Sequence, residues 1–313
     1  MKRIIIDTDV GLDVDDAYAI SLAAKSPELT VEGITTVYGD TLLRARIALK
    51  LLKLAGRSDI PVIVGEGEPI TENKQSRMLG FEGEGILKPK DKELQIPSIN
   101  AVDFITSKAL TSKKDLTIVT IGALTNIALA LKKQPDIKRG IKELVIMGGI
   151  IYPPEINGEK IPYDSEYNFN CDPEAAKIVF ECEIPKTLVP MDITMKPDNY
   201  LTEIELTKLQ EANTPLTATL LEMTKIWLEY RKESASTIGI SPEIVKPWMH
   251  DPLAVTVALK KEIFKTENYN LRMDILEGKA RIIPDAEVAE MKVCTNADFN
   301  QFKKLLIERL TKK

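Results

Sequence analysis

Short runs of branched apolar residues alternate along the first two-thirds of the chain with longer stretches whose apolar positions recur every three to four residues. Residues 3–6 predict a buried strand, followed by a polar turn and a helix over about 15–24. Residues 30–37 predict a second strand. Residues 42–55 carry apolar side chains at helical spacing and stop at Gly56, which predicts a second helix. Strands follow at 61–64, 115–121, 143–147 and 187–190. A helix is expected over 124–131, and another opens at Asp172-Pro173 and runs through Phe180, with proline at its first position. Beyond about residue 200 the pattern is helical over 202–212, 215–236 and 250–260. Strand-like stretches near 268–275 and 280–285 and a terminal helix over about 297–311 complete it.

Repetition of strand, loop and helix predicts an α/β protein with an open, mainly parallel sheet and helices on both faces. No Pro/Gly/Ser-rich linker and no internal repeat interrupts it, so residues 1–313 are expected to form a single large domain. Two long loop excursions, about 66–97 and 150–171, cross its functional edge. Ligands of such sheets bind outside the carboxyl ends of the strands, and there the unusual residues gather: Asp7, Asp40, Ile121-Gly122 and Gly148-Gly149.

Composition narrows the function. The 313 residues are 44% hydrophobic and 28% charged, ordinary for a globular chain with a sizeable core. Lys and Arg number 42 against 47 Asp and Glu, and the resulting net charge of −5 argues against a nucleic-acid partner. No apolar run has the length of a membrane span, and after Met1-Lys2-Arg3 only three isoleucines precede Asp7, unlike a secretory leader. Cys171, Cys182 and Cys294 are odd in number and lack CxxC spacing, so the chain is expected in the reducing cytoplasm without a disulfide framework. His250 is the single histidine, which excludes any metal site needing two.

The segment from Asp7 to Asp16 holds five aspartates in ten residues: Asp7, Asp9, Asp13, Asp15 and Asp16. Asp7 and Asp9 leave the strand on the same side, and Asp15 and Asp16 stand at a helix start, where the dipole favours negative charge. Charges this close repel unless a cation lies between them; a hard ion with oxygen ligands, best calcium, satisfies them. A solvated acidic turn is the plainer alternative. An EF-hand is disfavoured, since counting from Asp7 puts Tyr18 where a bidentate glutamate belongs. An aspartyl-phosphate phosphatase with Asp7 as nucleophile and bound magnesium would also use an apolar strand ending in Asp-x-Asp. It needs a downstream phosphate-binding lysine and a second aspartate pair, which are not convincingly arranged.

The Asp7–Ala17 segment resembles the signature of the inosine–uridine-type nucleoside hydrolases, Asp-x-Asp-x-Gly…Asp-Asp-Ala. Further matches follow in order: Thr36-Val37-Tyr38-Gly39-Asp40, Ile121-Gly122-Ala123-Leu124-Thr125-Asn126, Met147-Gly148-Gly149, Glu166-Tyr167-Asn168 with Asp172-Pro173-Glu174-Ala175-Ala176, and His250-Asp251-Pro252-Leu253-Ala254. They span the chain to about residue 254. The resemblance implies a Rossmann-like core and calcium-dependent hydrolysis of the N-glycosidic bond of purine or pyrimidine ribonucleosides, giving ribose and free base, by a homo-oligomer (dimer or tetramer) serving nucleoside catabolism and salvage. It implies calcium ligation by Asp9, Asp16, the carbonyl of Ile121 and Asp251. Asp9 would also be the general base, and Asp7 would support its neighbours. Asp15, Glu166, Asn168 and Asp40 would hold ribose, and His250 would assist the leaving base. Trp248 is a candidate base-stacking or core residue, and Asn126 starts a helix that it would simply cap.

Four features depart from the family pattern. The first motif is lengthened within Gly11-Leu12-Asp13-Val14-Asp15-Asp16, so Asp13 competes with Asp15 for the ribose role. Asp40 stands in place of asparagine. Leu79 occupies the position of a loop histidine, and Asn157-Gly158-Glu159-Lys160 replaces a Gly-Asn pair. These differences leave base preference open. The phosphatase, and a catalytically silent sugar- or calcium-binding protein, are the rival readings.

Overall fold

The computed structural model describes residues 1–237 and 244–312. Its main sheet is built from β1 (Lys2–Thr8), β2 (Leu29–Thr36), β3 (Val62–Ile63), β4 (Leu116–Thr120) and β5 (Ile141–Met147). A two-stranded hairpin, β6 (Glu155–Ile156) and β7 (Glu159–Lys160), stands apart. β8 (Lys186–Val189), β9 (Phe264–Leu276), β10 (Lys279–Pro284) and β11 (Glu290–Ala297) complete the sheet. The order across it is β10-β9-β11-β8-β5-β4-β1-β2-β3. From β3 to β11 all neighbours are parallel; β9 then pairs antiparallel with both β11 and β10.

Alternation along β1 divides the core. Ile4 and Ile6 join an apolar cluster on one face of the sheet, and Ile5 joins a second cluster on the other. The first face packs against α1 (Asp15–Ala24) and α2 (Thr41–Leu54). The second packs against α3 (Ala101–Thr111), α4 (Thr125–Lys133) and, past the short α5 (Asn168–Cys171), α6 (Pro173–Glu181). After one turn at α7 (Met191–Thr194), the remaining helices return to the first face: α8 (Glu203–Ala212), α9 (Pro215–Thr237), α10 (His250–Leu259) and α11 (Phe299–Thr311). Every residue of α1 is buried, as is every residue of α10 after His250. Both helices start at the carboxyl edge of the sheet, so their first residues are fixed by packing on all sides.

Several elements lie outside the sequence expectations. α3 follows a long polar stretch and is started by Asn100, whose Oδ1 accepts from Val102 N at 2.7 Å. β11 reads as charged surface in sequence, yet its buried Met291 and Val293 alternate with exposed Glu290 and Lys292. It pairs with β8 through only Lys292–Thr187 and Val293–Leu188. The 66–97 excursion contains a 3-10 turn over Pro89–Glu93, and the 150–171 excursion contains the β6–β7 hairpin and α5.

Gly140, at the entry to β5, leaves no space for a side chain, because a Cβ there would sit 1.7 Å from the carbonyl oxygen of Ala109 at the end of α3. Gly140→Ala is expected to destabilise the protein by about 3 kcal/mol through forced displacement of α3; urea unfolding checks it, and an unchanged midpoint would contradict this packing.

Candidate functional site

The site begins where β1 stops. The chain leaves Thr8, turns through residues 9–14 and enters α1 at Asp15. The turn closes on α2 at Gly11, which has φ +110°; a Cβ there would sit 2.8 Å from Ile47 Cδ1. Asp9, Asp15 and Asp16 are all buried. Thr8 Oγ1 donates to Asp16 Oδ1, and the backbone N–H of Asp251, at the start of α10, donates to Asp15 Oδ2 at 3.1 Å. One carboxylate oxygen from each of Asp15, Asp16 and Asp251 falls within 4.8 Å of the others. Asp9 joins them from the turn with its Oδ2 buried and without a hydrogen-bond partner. Its fit against the β4–α4 loop is close: a Cβ at Gly122 would stand 2.9 Å from Asp9 Oδ1.

Four buried carboxylates in one place oppose ionisation. Burial is the largest cause at each, and repulsion from neighbouring aspartates adds to it, that of Asp13 foremost at Asp9 and Asp15. Asp9 is pushed up to about 6, with Arg44 acting against the rise, and Asp15 to about 8. Asp16 and Asp251 rise well above the carboxylate range. Such a set suits a hard divalent cation, which would stabilise the ionised forms and give the orphaned Asp9 oxygen a partner. An acidic cluster able to hold such an ion is thus present.

These groups open into a cavity of about 460 Å³, within the range of small-molecule sites. Eight of the expected residues line it: Asp9, Asp15, Asp16, Ile121, Glu166, Asn168, His250 and Asp251. Two do not. Asp7 lies behind the floor, fully buried; its Oδ1 accepts from Thr35 Oγ1 at 2.5 Å and Asn126 Nδ2 at 2.8 Å. Burial pushes its carboxyl up to about 7. This enclosure removes the geometry an attacking aspartate would need. Asp40 is exposed; its Oδ1 caps α2 by accepting from Leu43 N at 2.9 Å.

Glu166 reaches the cavity from the segment before α5, and Asn168 from its first position. The Glu166 carboxylate is buried and accepts from the N–H groups of Phe169 at 3.1 Å and Asn170 at 3.2 Å. Asn168 Nδ2 donates to the Met147 carbonyl at 3.1 Å, tying the pair to the end of β5. Asp13 also lines the cavity but stands outside the carboxylate trio: its Oδ1 accepts from Trp227 Nε1 at 2.7 Å and lies 3.6 Å from Arg231 Nε. Asp15, not Asp13, therefore lies against Asp16 and Asp251. His250 Nδ1 meets Thr194 Oγ1 at 2.7 Å, and burial pushes the ring down to about 4, keeping it neutral near pH 7. Trp248 both lines the cavity and packs edge-on against Tyr200, with centroids 5.3 Å apart. Leu79, Trp227 and Arg231 face the cavity as well.

Sequence reasoning missed two supporting residues. Asn126 does not cap α4; it bridges Asp7, the Thr36 carbonyl (3.0 Å) and the Glu66 N–H (2.9 Å). Asp172, besides capping α6, accepts from Ile70 N at 2.9 Å, Thr71 Oγ1 at 2.7 Å and Thr125 Oγ1 at 2.6 Å, pinning the 66–97 excursion to the site. The Asp-Pro start of a helix was the available signal for Asp172; nothing local pointed to its second role.

Comparison with known proteins gives a consistent answer. The family model for inosine-uridine preferring nucleoside hydrolase matches residues 4–304. A probable uridine nucleosidase 2 of Arabidopsis thaliana is 29% identical over 99% of this chain and 97% of its own length. A pyrimidine-specific ribonucleoside hydrolase of Citrobacter koseri is 32% identical over 84% and 81%. The solved structure of a purine-preferring ribonucleoside hydrolase from Gardnerella vaginalis superposes with a TM-score of 0.83 at 30% identity, covering 99% of this chain and 98% of that one.

Asp172→Ala is expected to destabilise the protein by about 2–3 kcal/mol, because it strands several donors on two segments. It should also speed protease cleavage within residues 66–97; an unchanged cleavage rate would contradict the pinning role.

Proposed function

The chain belongs to the inosine-uridine preferring nucleoside hydrolase family and hydrolyses the N-glycosidic bond of ribonucleosides; on that premise we propose which of its residues do so and with which ion. The cation is calcium, held by Asp9, Asp16, the Ile121 carbonyl and Asp251. The observation that carries a cation here is the meeting of carboxylates from residues 15, 16 and 251 at the floor of a cavity of small-molecule size, beside the unpartnered Oδ2 of Asp9; the choice among these ligands follows the family resemblance. Calcium accepts six to eight oxygens at flexible geometry, which suits several carboxylates shared with sugar hydroxyls better than the strict octahedron of magnesium does. When bound, it supplies positive charge that makes a nearby water easier to deprotonate.

Cleavage passes through a ribosyl cation, so the chain must deliver water to the anomeric carbon, grip the sugar and ease departure of the base. Asp9 takes the proton of the attacking water as the C1′–N bond breaks; its unpartnered buried Oδ2 supports that role. Asp15, Glu166 and Asn168 grip ribose hydroxyls, with Asp7 steadying the turn from behind. Asp40, held in its helix cap, acts on ribose only if that cap is released. His250 faces the base. Nδ1 is engaged by Thr194 Oγ1, which orients the ring and leaves Nε2 to meet the leaving base.

The named relatives differ in base, uridine or pyrimidine in some and purine in another, while ribose is common to all of these substrates. Selectivity in this chain is accordingly assigned to the wall formed by Leu79, Trp227, Arg231 and Trp248. We further place residues 1–313 in one domain and the protein in the cytoplasm as a homo-oligomer, dimer or tetramer. Three unpaired cysteines support the compartment, and exposed Tyr152, Ile204 and Leu276 offer apolar surface for contacts between copies. No described helix is long and apolar enough to cross a membrane.

Incubation with inosine, adenosine, uridine and cytidine is expected to release reducing sugar from at least one of them, and chelation of calcium to stop the release. No sugar from any of the four would defeat the assignment. Asp9→Ala is expected to lose about 10²–10⁴-fold or more in kcat; a rate near wild type would remove Asp9 from the base role. His250→Ala should lower kcat by about 10²-fold, most for the poorest leaving bases. Equal loss across bases would argue against contact with the leaving group.

A further inference from the structure

Arg44 of α2 is among the largest fully buried side chains of the described residues, and its position is unusual. Among the described residues its acceptors include no carboxylate. Nε donates to the Tyr38 carbonyl at 2.5 Å. Nη1 donates to the carbonyls of Asp9 and of Val10, the latter at 3.1 Å, and Nη2 lies 3.6 Å from Met78 Sδ. A permanent charge placed in a protein interior with only neutral acceptors is retained where a field of the opposite sign repays its lost hydration. That field is at hand in the buried carboxylates of Asp9, Asp15 and Asp16, which belong to the same turn and helix start whose carbonyls the guanidinium holds.

We propose that Arg44 is a positioning residue for the metal turn, drawing the main-chain carbonyls of Asp9 and Val10 backward so that only carboxylates of the turn face the cation, and supplying the fixed positive charge that lets these carboxylates stay close. The proposal rests on the calcium reading of the cluster. The planar fork suits the task because it spans carbonyls of two segments at once, the 9–10 turn and the Tyr38 turn, where Tyr38 holds a left-handed φ of +65°. The contact is also covered. Met78, next to the cavity-lining Leu79, seals the guanidinium and accepts from the Asp40 N–H at 3.3 Å; a Cβ at Gly39 would stand 2.4 Å from its sulfur. Arg44 thereby links the ion-binding turn to the excursion that forms one cavity wall.

The test uses full-length protein stripped of metal, with calcium affinity read by isothermal titration calorimetry for wild type, Arg44→Lys and Arg44→Gln. Arg44→Gln is expected to weaken calcium binding by about 10–100-fold, the usual effect of removing a group that orients metal ligands. Arg44→Lys, which keeps the charge and loses the fork, should fall between the two. Activity of Arg44→Gln should be low at limiting calcium and recover in kcat as calcium is raised, with KM for the nucleoside close to wild type at saturation. A purely structural role would lower the melting temperatures of the stripped and calcium-loaded forms alike and leave the calcium affinity alone. A folded Arg44→Gln, or a folded Arg44→Lys if the former does not fold, with wild-type calcium affinity overturns the proposal while leaving the calcium site standing. Wild-type protein that binds no calcium overturns both.

Discussion

Mutual repulsion among Asp9, Asp15, Asp16 and Asp251 is the constraint around which this fold is arranged. Four carboxylates cannot share a dry pocket in water-like conditions, and the chain brings them together through rigid supports. β1 and its buried isoleucines deliver the first of them, α1 supplies two from its opening turn, and α10 brings the fourth from the far end of the sequence. Both helices are packed on all sides, so neither can retreat to relieve the repulsion. The strain is relieved locally by hydrogen bonds from Thr8 and the Asp251 amide and by the charge of Arg44. The remainder calls for a cation.

The same arrangement separates two parts of the cavity. Its floor is made of strand ends and helix starts, where Asp9, Ile121 and Asp251 have little freedom. Its walls come from the excursions and from α9, where Leu79, Trp227 and Arg231 sit. Asp172 and Glu166 join the two, each an acidic residue that accepts several N–H groups and so fixes an excursion relative to a helix start. Members of one family can accordingly share ribose chemistry while differing in the base they take.

Much of this was readable from the chain because the site is written in short strings at element boundaries. Asp7–Asp16, Ile121-Gly122 and His250-Asp251 each combine a strand end or helix start with a residue type that has no packing reason to be there. Repetition of strand and helix was likewise sufficient for the parallel sheet. What escaped was long-range. Arg44 sits in a helix alongside Arg46 and Lys50, and sequence gives no sign that the first is buried while the other two remain partly exposed. Asn126 looked like a helix cap, since its true partners lie 60 to 119 residues away. β11 was lost because lysine and glutamate occupy its outward positions, and its pairing depends on β9, which precedes it by a hairpin.

The hydrogen bond between Asp251 and Asp15 joins residues 236 positions apart. During synthesis, the amino-terminal aspartates emerge long before their last companion exists, and closing so long a loop is slow. A nascent chain therefore lacks the complete pocket until its final quarter has docked, and the emerging polypeptide cannot capture its ion early in finished form. A complete pocket then requires α10 to have docked against α1.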